Sequence, residues 1–408
     1  MRTNRVRLRH RRAGVLVASL ALLATGFGGT AVAAGDTGEA RADAARQPHR
    51  GGTAGDVVKA RATTFLPAPG QAADVTAWKV HYRSTTATGR PTVVSGTVLI
   101  PDDGAGPAGS PRPLVSYAVG TVGMGDQCAP SATFPTGQTA EGALIAMLLE
   151  RGWAVAVTDY EGLGTPGTHT YTVGRSAGHA VLDIARAAQR LPGAAERGVT
   201  AGSPVGLMGY SQGGQAVGWA AQLHAAYAPD LDVRGTAAGG VPARLATGHS
   251  PGGLGATFHM MTLIGHGAAY PELNLASYLN RDGRALAARL SRGCLAENIE
   301  AGSRYDFSEL VVRDPGKSSA WQRRLGESAV GGIAPGSPVF LYHGLADDLV
   351  VPALGEGLRD DWCRLGADVH WLGLPGADHL MAVPAAHRPA ADWLAGRFAG
   401  TPAAGTCA

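Results

Sequence analysis

The sequence predicts an α/β fold: a mostly parallel sheet with helices on both faces and a helical cap inserted into its topology. Three observations carry this. Short apolar runs alternate with helix-patterned stretches, as in a parallel sheet buried on both faces. An opening segment instead alternates apolar and polar residues about a tight turn, which marks a hairpin. Nearly a hundred residues then separate the apolar run ending near Ala238 from the one beginning at Val339, room enough for a cap.

Taken in order, Val80, Tyr82 and Thr92, Val94, Thr97, Leu99 flank a Thr88-Gly89 turn and form the hairpin, closed by a Pro/Gly loop from Pro101 to Pro113. Core strands follow at Leu114–Val119, Trp153–Thr158, Val205–Met208, Val233–Ala238, Val339–Tyr342 and Val369–Leu374. Helices are expected at Glu141–Glu150, His179–Leu191, Gln212–Tyr227 and Leu354–Leu365. In the long interval, the Met-bearing stretch Leu254–Ile264 and the helix-like Leu275–Leu290 read equally well as a core-packed cap or a substrate-facing lid. The expected organisation is a signal peptide at 1–34, a disordered leader and chain entry at 35–74, core at 75–242, cap at 243–336 and the rest of the core at 337–408. The fold is expected to begin near Val75.

Gly 60 and Pro 25 make about a fifth of the 408 residues, yet 45% are hydrophobic and 16% charged, which excludes disorder over most of the chain. Arg2, Arg5, Arg7, Arg9, Arg11 and Arg12 precede an apolar stretch and the small-residue site Ala31-Val32-Ala33, the anatomy of a secretory signal; Arg11-Arg12 also permits the twin-arginine route. Removing those six from 35 basic residues leaves 29 against 32 acidic, a net charge of −3, which argues against a nucleic-acid partner. Lysine occurs only at Lys59, Lys79 and Lys317, a compositional bias. An exported chain can keep disulfides among Cys128, Cys294, Cys363 and Cys407, in any of three pairings. Their spacing matches no zinc site, so no metal is expected.

Gly-x-Ser-x-Gly, the pattern of a serine on a tight strand-to-helix turn, occurs three times, centred on Ser176, Ser211 and Ser250. Pro251 follows Ser250 and lacks the N–H that must meet a developing oxyanion, which excludes it. Ser176 follows a polar, turn-like stretch and reads as a helix-start residue. Ser211 alone follows a buried-type strand and opens a helix of small residues, so it is the candidate nucleophile. A serine needs a base and the base an orienting carboxylate. Strand ends supply His379, with Asp347 or Asp348, in the chain order expected of this arrangement; a helix-start role is the plain alternative for His379. The backbone N–H of Gln212, with that of Thr121 or Val122 in the loop Val119–Gly125, would form an oxyanion hole.

A rival motif, Gly162-Leu-Gly164-Thr-Pro-Gly167, matches a dinucleotide fingerprint. Pro166 and Thr168–Val173 delay the helix that the pyrophosphate needs, so it reads as a flexible loop near the site.

Together these residues resemble the secretory lipase family of α/β-hydrolases, the yeast lipase A type, over residues 75 to 398. The resemblance rests on Ser116-Tyr117, Cys128-Ala-Pro-Ser131, Asp159-Tyr-Glu-Gly162, Leu182-Asp183, Gly209-Tyr-Ser-Gln-Gly-Gly214, Tyr227-Ala-Pro-Asp230, His343 with Asp347, and His379. It implies a serine esterase acting on acylglycerols or related esters, with Ser211, Asp347 and His379 as triad; the step from Asp347 to His379 favours Asp347 over Asp348. It also implies the pairings Cys128–Cys294 and Cys363–Cys407. Two departures stand out. Val122 occupies the place of an aspartate, leaving only backbone there, and the chain stops at Ala408 without a flap, which is expected to open the site and favour shorter or bulkier esters.

The expected function is therefore a secreted, extracellular carboxylic-ester hydrolase of triacylglycerol-lipase type working through an acyl-enzyme. No cofactor is expected. Its partner would be a small-molecule or lipid ester, with room for transient contact at a lipid interface, no nucleic acid, and a monomeric state. An acyltransferase on the same fold is the alternative, and a non-catalytic ester- or lipid-binding protein the remote one.

Overall fold

A computed structural model describes residues 52–104, 111–245 and 253–407. The export signal, the expected leader as far as residue 51, and Ser250 lie outside the described residues.

Nine strands form one sheet in the order β1-β2-β3-β5-β4-β6-β7-β8-β9. Strands β1 (Val57–Thr63), β2 (Val75–Thr85) and β3 (Pro91–Pro101) pair antiparallel, and β3 meets β5 (Ala154–Thr158) antiparallel. From β5 onward, β4 (Leu114–Ala118), β6 (Val205–Tyr210), β7 (Val233–Gly239), β8 (Val339–Gly344) and β9 (Val369–Leu374) all run parallel. The central strands β4, β5, β6 and β8 are buried at every residue, as their uninterrupted apolar runs require when helices cover both faces.

Among the described residues, the α-helices of eight or more residues are α1 (Gly142–Leu149), α2 (Gly174–Arg190), α3 (Gln212–Tyr227), α4 (Gly253–Ala269), α5 (Arg281–Leu290), α6 (Leu295–Gly302), α7 (Ser319–Gly326), α8 (Pro352–Arg364) and α9 (His379–Phe398). Helices α4 to α7 lie between β7 and β8, in the interval expected to form the cap, where Met260, Met261, Leu263, Leu290, Phe307 and Trp321 are buried together with Met124, Tyr171 and Val173 from outside it. The Leu254–Ile264 stretch thus packs inward at Met260, Met261 and Leu263, as the core-packed reading expects.

The expected entry to the fold needs correction, because β1 adds an edge strand ahead of Val75. Its sequence Val-Val-Lys-Ala-Arg-Ala-Thr is exposed along nearly its whole length and pairs with β2 on one side only. An edge strand burying so little lacks the apolar alternation by which a strand is recognised.

Candidate active site

Strand β6 ends at Tyr210 and α3 begins at Gln212, so Ser211 carries the whole reversal. Its backbone sits at φ 57°, ψ −119°, a conformation that L-residues avoid and that tight packing must hold. The flanking glycines make this close approach possible. A Cβ at Gly213 would lie 1.9 Å from the Ala118 carbonyl oxygen, and one at Gly209 would lie 2.5 Å from that of Gly213.

His379 opens α9 and also reaches the turn at Ser211. Its Nε2 lies 2.9 Å from Ser211 Oγ, and its Nδ1 lies 2.6 Å from Asp347 Oδ2. Neighbouring Asp378 caps the helix, accepting the N–H groups of Leu380 and Met381. Asp347 is buried, and its second oxygen accepts the backbone N–H groups of Leu349 at 3.0 Å and Val350 at 2.8 Å. Burial alone would raise its carboxyl, but the donors of His343, His379 and Val350 outweigh it and hold the group well below the usual carboxylate range. Asp348 is exposed.

Among the described residues, no group accepts a hydrogen bond from the backbone N–H of Gln212, Thr121 or Val122. The first sits at the N-terminus of α3, where the helix dipole also favours negative charge. The loop from Val119 to Gly125 is joined to the cap. Leu295 N–H donates to the Val122 carbonyl at 2.8 Å, Met124 N–H donates to that of Gly293 at 2.9 Å, and the Cys128–Cys294 disulfide closes the junction. Gly123 is required there, since at φ 118° a Cβ would lie 2.5 Å from the Cys294 Cα. Cys363–Cys407 is the second disulfide, so both pairings agree with those the resemblance implies.

Two supporting residues carry no motif. Glu141, immediately before α1, accepts the Gly120 N–H at 2.6 Å and the Tyr117 hydroxyl at 2.6 Å, and burial raises its carboxyl. In the sequence it is only the acidic start of an apolar helix. His169 lies beside the nucleophile turn: its Nε2 accepts from the Gln212 side-chain amide at 3.0 Å while its Nδ1–H donates to the Glu161 carbonyl at 3.1 Å. Burial lowers it to about 4, so the ring is neutral and this tautomer is fixed by its partners.

Much of what reads as motif proves to be buried polar scaffold. Asp159 accepts from the Ser131 N–H at 2.9 Å, the Ser95 hydroxyl at 2.6 Å and the Ser131 hydroxyl, which anchors the Cys128-Ala-Pro-Ser131 turn. Asp183 accepts from Tyr227 and Ser84 and pairs with Arg186, which reaches on to Asp230. Ser176 lies in the first turn of α2, with its hydroxyl donated to the Glu161 carboxylate rather than to the helix end. In the Gly162–Gly167 segment Leu163 is buried and Gly164 N–H donates to Asp126 at 2.9 Å, while Pro166 and Gly167 are exposed. No helix begins until Gly174, too late to face a pyrophosphate from these glycines.

Comparison with known proteins agrees with this architecture. A profile of the secretory lipase family matches residues 128–406. The chain is 31% identical to a probable inactive lipase of Mycobacterium tuberculosis over 357 residues, covering 80% of this chain and 75% of the relative. It is 29% identical to a secreted triacylglycerol lipase of Malassezia globosa, covering 86% of this chain and 77% of the relative. Lipase A of Candida antarctica has the same fold, with a TM-score of 0.76 at 24% identity over 87% of this chain and 84% of that one. The chain belongs to the secretory lipase family of α/β-hydrolases.

Proposed function

We propose that the protein is a secreted carboxylic-ester hydrolase of triacylglycerol-lipase type, with Ser211 as nucleophile, His379 as general base and acid, and Asp347 as the residue that orients it. The observation that carries this reading is the His379 imidazole bridging Ser211 Oγ at 2.9 Å and Asp347 Oδ2 at 2.6 Å. Asp347 accepts the Nδ1–H and so leaves Nε2 free to take the serine proton. Ser211 Oγ attacks the ester carbonyl as its proton passes to His379. The carbonyl oxygen gains negative charge, which the N–H of Gln212 and that of Thr121 or Val122 would meet. His379 returns the proton to the leaving alcohol, and an acyl group remains on Ser211. Water, deprotonated by His379, then releases the acid.

Export is supported by the arginine-rich, apolar, small-residue start of the chain, and by the name of the Malassezia relative as a secreted lipase. A non-catalytic reading draws on the name of the mycobacterial relative. Hydrolysis of p-nitrophenyl esters from two to sixteen carbons, with Ser211→Ala as control, separates the two. Serine-dependent turnover supports the hydrolase; a folded wild type with no turnover at any length would favour the non-catalytic reading.

A further inference from the structure

The triad carboxylate faces a second histidine. His343, next to last in strand β8, is fully buried, with its Nε2 2.7 Å from the Val350 carbonyl oxygen and 3.4 Å from Asp347 Oδ2, the same oxygen that receives His379. Its Nδ1 is buried without a hydrogen-bond partner. Helix α8 closes that side, so near that a Cβ at Gly355 would lie 2.5 Å from Nδ1. A proton on Nδ1 would therefore be an orphan donor with no room for water, which places the ring hydrogen on Nε2, where the Val350 carbonyl accepts it. That N–H is directed at Val350, and its positive end also lies beside Asp347. Val350 in turn donates its own N–H to Asp347, so His343, Val350 and Asp347 form one closed unit.

Resting on the hydrolase reading, we propose that His343 is a positioning residue that sets the acid limit of the reaction by tempering the pull of Asp347 on His379. A carboxylate concentrating its charge on His379 alone would stabilise the imidazolium and spoil the base in mildly acidic conditions. The positive end of the His343 N–H, 3.4 Å from Oδ2, disperses that charge, so the imidazole stays free to accept the Ser211 proton at lower pH. The other groups facing the cluster do not compete for this role. Tyr210, from the end of β6, lies with its ring tilted and its centroid 5.0 Å from that of His379, and is kept protonated by burial and by Asp347 and Asp378. Asp378 is engaged as the α9 cap, and Asp348 is exposed. From β9 the contact to His343 is the Trp371 ring, whose neighbour Arg359 is paired with Asp360, and from α8 it is Gly355.

The test compares wild type, His343→Leu and His343→Gln in the pH dependence of kcat/KM on a soluble short-chain ester, alongside the NMR titration of the His379 ring. For His343→Leu the acid limb moves to higher pH, about 3- to 10-fold less activity on the acid side for a half to one unit of displacement, and the ring titration moves with it. For His343→Gln, whose amide can donate in place of the imidazole, both return toward wild type. If both variants lose plateau activity while limb and titration stay in place, His343 is only a structural prop and the proposal is overturned. Absence of wild-type turnover would count against the hydrolase reading, whereas the ring titration would still decide the role of His343.

Discussion

Glu141 Oε1 accepts the Gly120 N–H at 2.6 Å, and a Cβ at Gly120 would lie 4.0 Å from that of Ser211. The Glu141 carboxylate thus holds the loop that runs past Ser211. Glu141→Ala removes the acceptor and leaves two donors, Gly120 N–H and the Tyr117 hydroxyl, without their partner. The expected result is a fall in kcat of about 10- to 100-fold with KM within about twofold, because a displaced oxyanion donor is missed in the transition state rather than in substrate binding. Glu141→Gln, which keeps an acceptor oxygen for Gly120, retains most of the activity. Steady-state kinetics on one soluble ester check both variants.

The two disulfides have different expected consequences. Cys128–Cys294 joins the chain just after the Val119–Gly125 loop to the cap, whereas Cys363–Cys407 joins α8 to the C-terminal tail. Replacing either pair by alanine costs about 2–5 kcal/mol of stability. Only the Cys128→Ala/Cys294→Ala pair lowers kcat, by loosening the Val122–Leu295 and Met124–Gly293 contacts. Denaturant unfolding and kcat measured on both double variants separate the effects; equal kcat losses would contradict this division.

The parts of the site that were legible in the sequence are those in which chemistry constrains residue type locally. The turn around Ser211 needs glycines at 209 and 213 and a strand and helix on either side, and all of these are contiguous in the chain. His379 and Asp347 follow at strand ends in a fixed order. Glu141, His169 and β1 escaped for a common reason. Glu141 and His169 act through partners distant in sequence, Gly120 and Gln212, and a lone acid or histidine carries no spacing by which to find it. Strand β1 is set by pairing with β2, with little burial of its own.

His387 supplies a test of stability against pH. It is buried in α9 with neither ring nitrogen hydrogen-bonded, and burial, assisted by the charge of Arg151, lowers it to about 4. The unfolded chain takes up this proton near 6.5 and the folded chain only near 4, so stability is lost as pH falls through that window and is restored above it. His387→Leu removes the penalty. Its stabilisation relative to wild type should be about 2 kcal/mol larger at pH 5 than at pH 8, measured by urea unfolding at the two values. A gain that does not depend on pH would contradict the assignment.

Leu380 and Met381 follow His379 in the first turn of α9 and are 78% and 58% exposed. Apolar side chains so placed suit contact with a lipid surface or a long acyl chain. Leu380→Ser/Met381→Ser should lower turnover of an emulsified long-chain ester several-fold more than that of a soluble short-chain ester. Parallel rate measurements on the two substrates test it; equal losses would show that the pair supports the His379 helix and not the substrate.

The central claim is that Ser211 becomes acylated with the help of His379, and trapping the covalent adduct tests it most directly. Wild type, Ser211→Ala and His379→Ala would each be treated with a fluorophosphonate and the modified peptide located by mass spectrometry. The account predicts one adduct, on Ser211, formed rapidly in wild type, slowed by orders of magnitude in His379→Ala and missing from Ser211→Ala. An adduct that persists in Ser211→Ala, or a folded wild type that forms none, would contradict it.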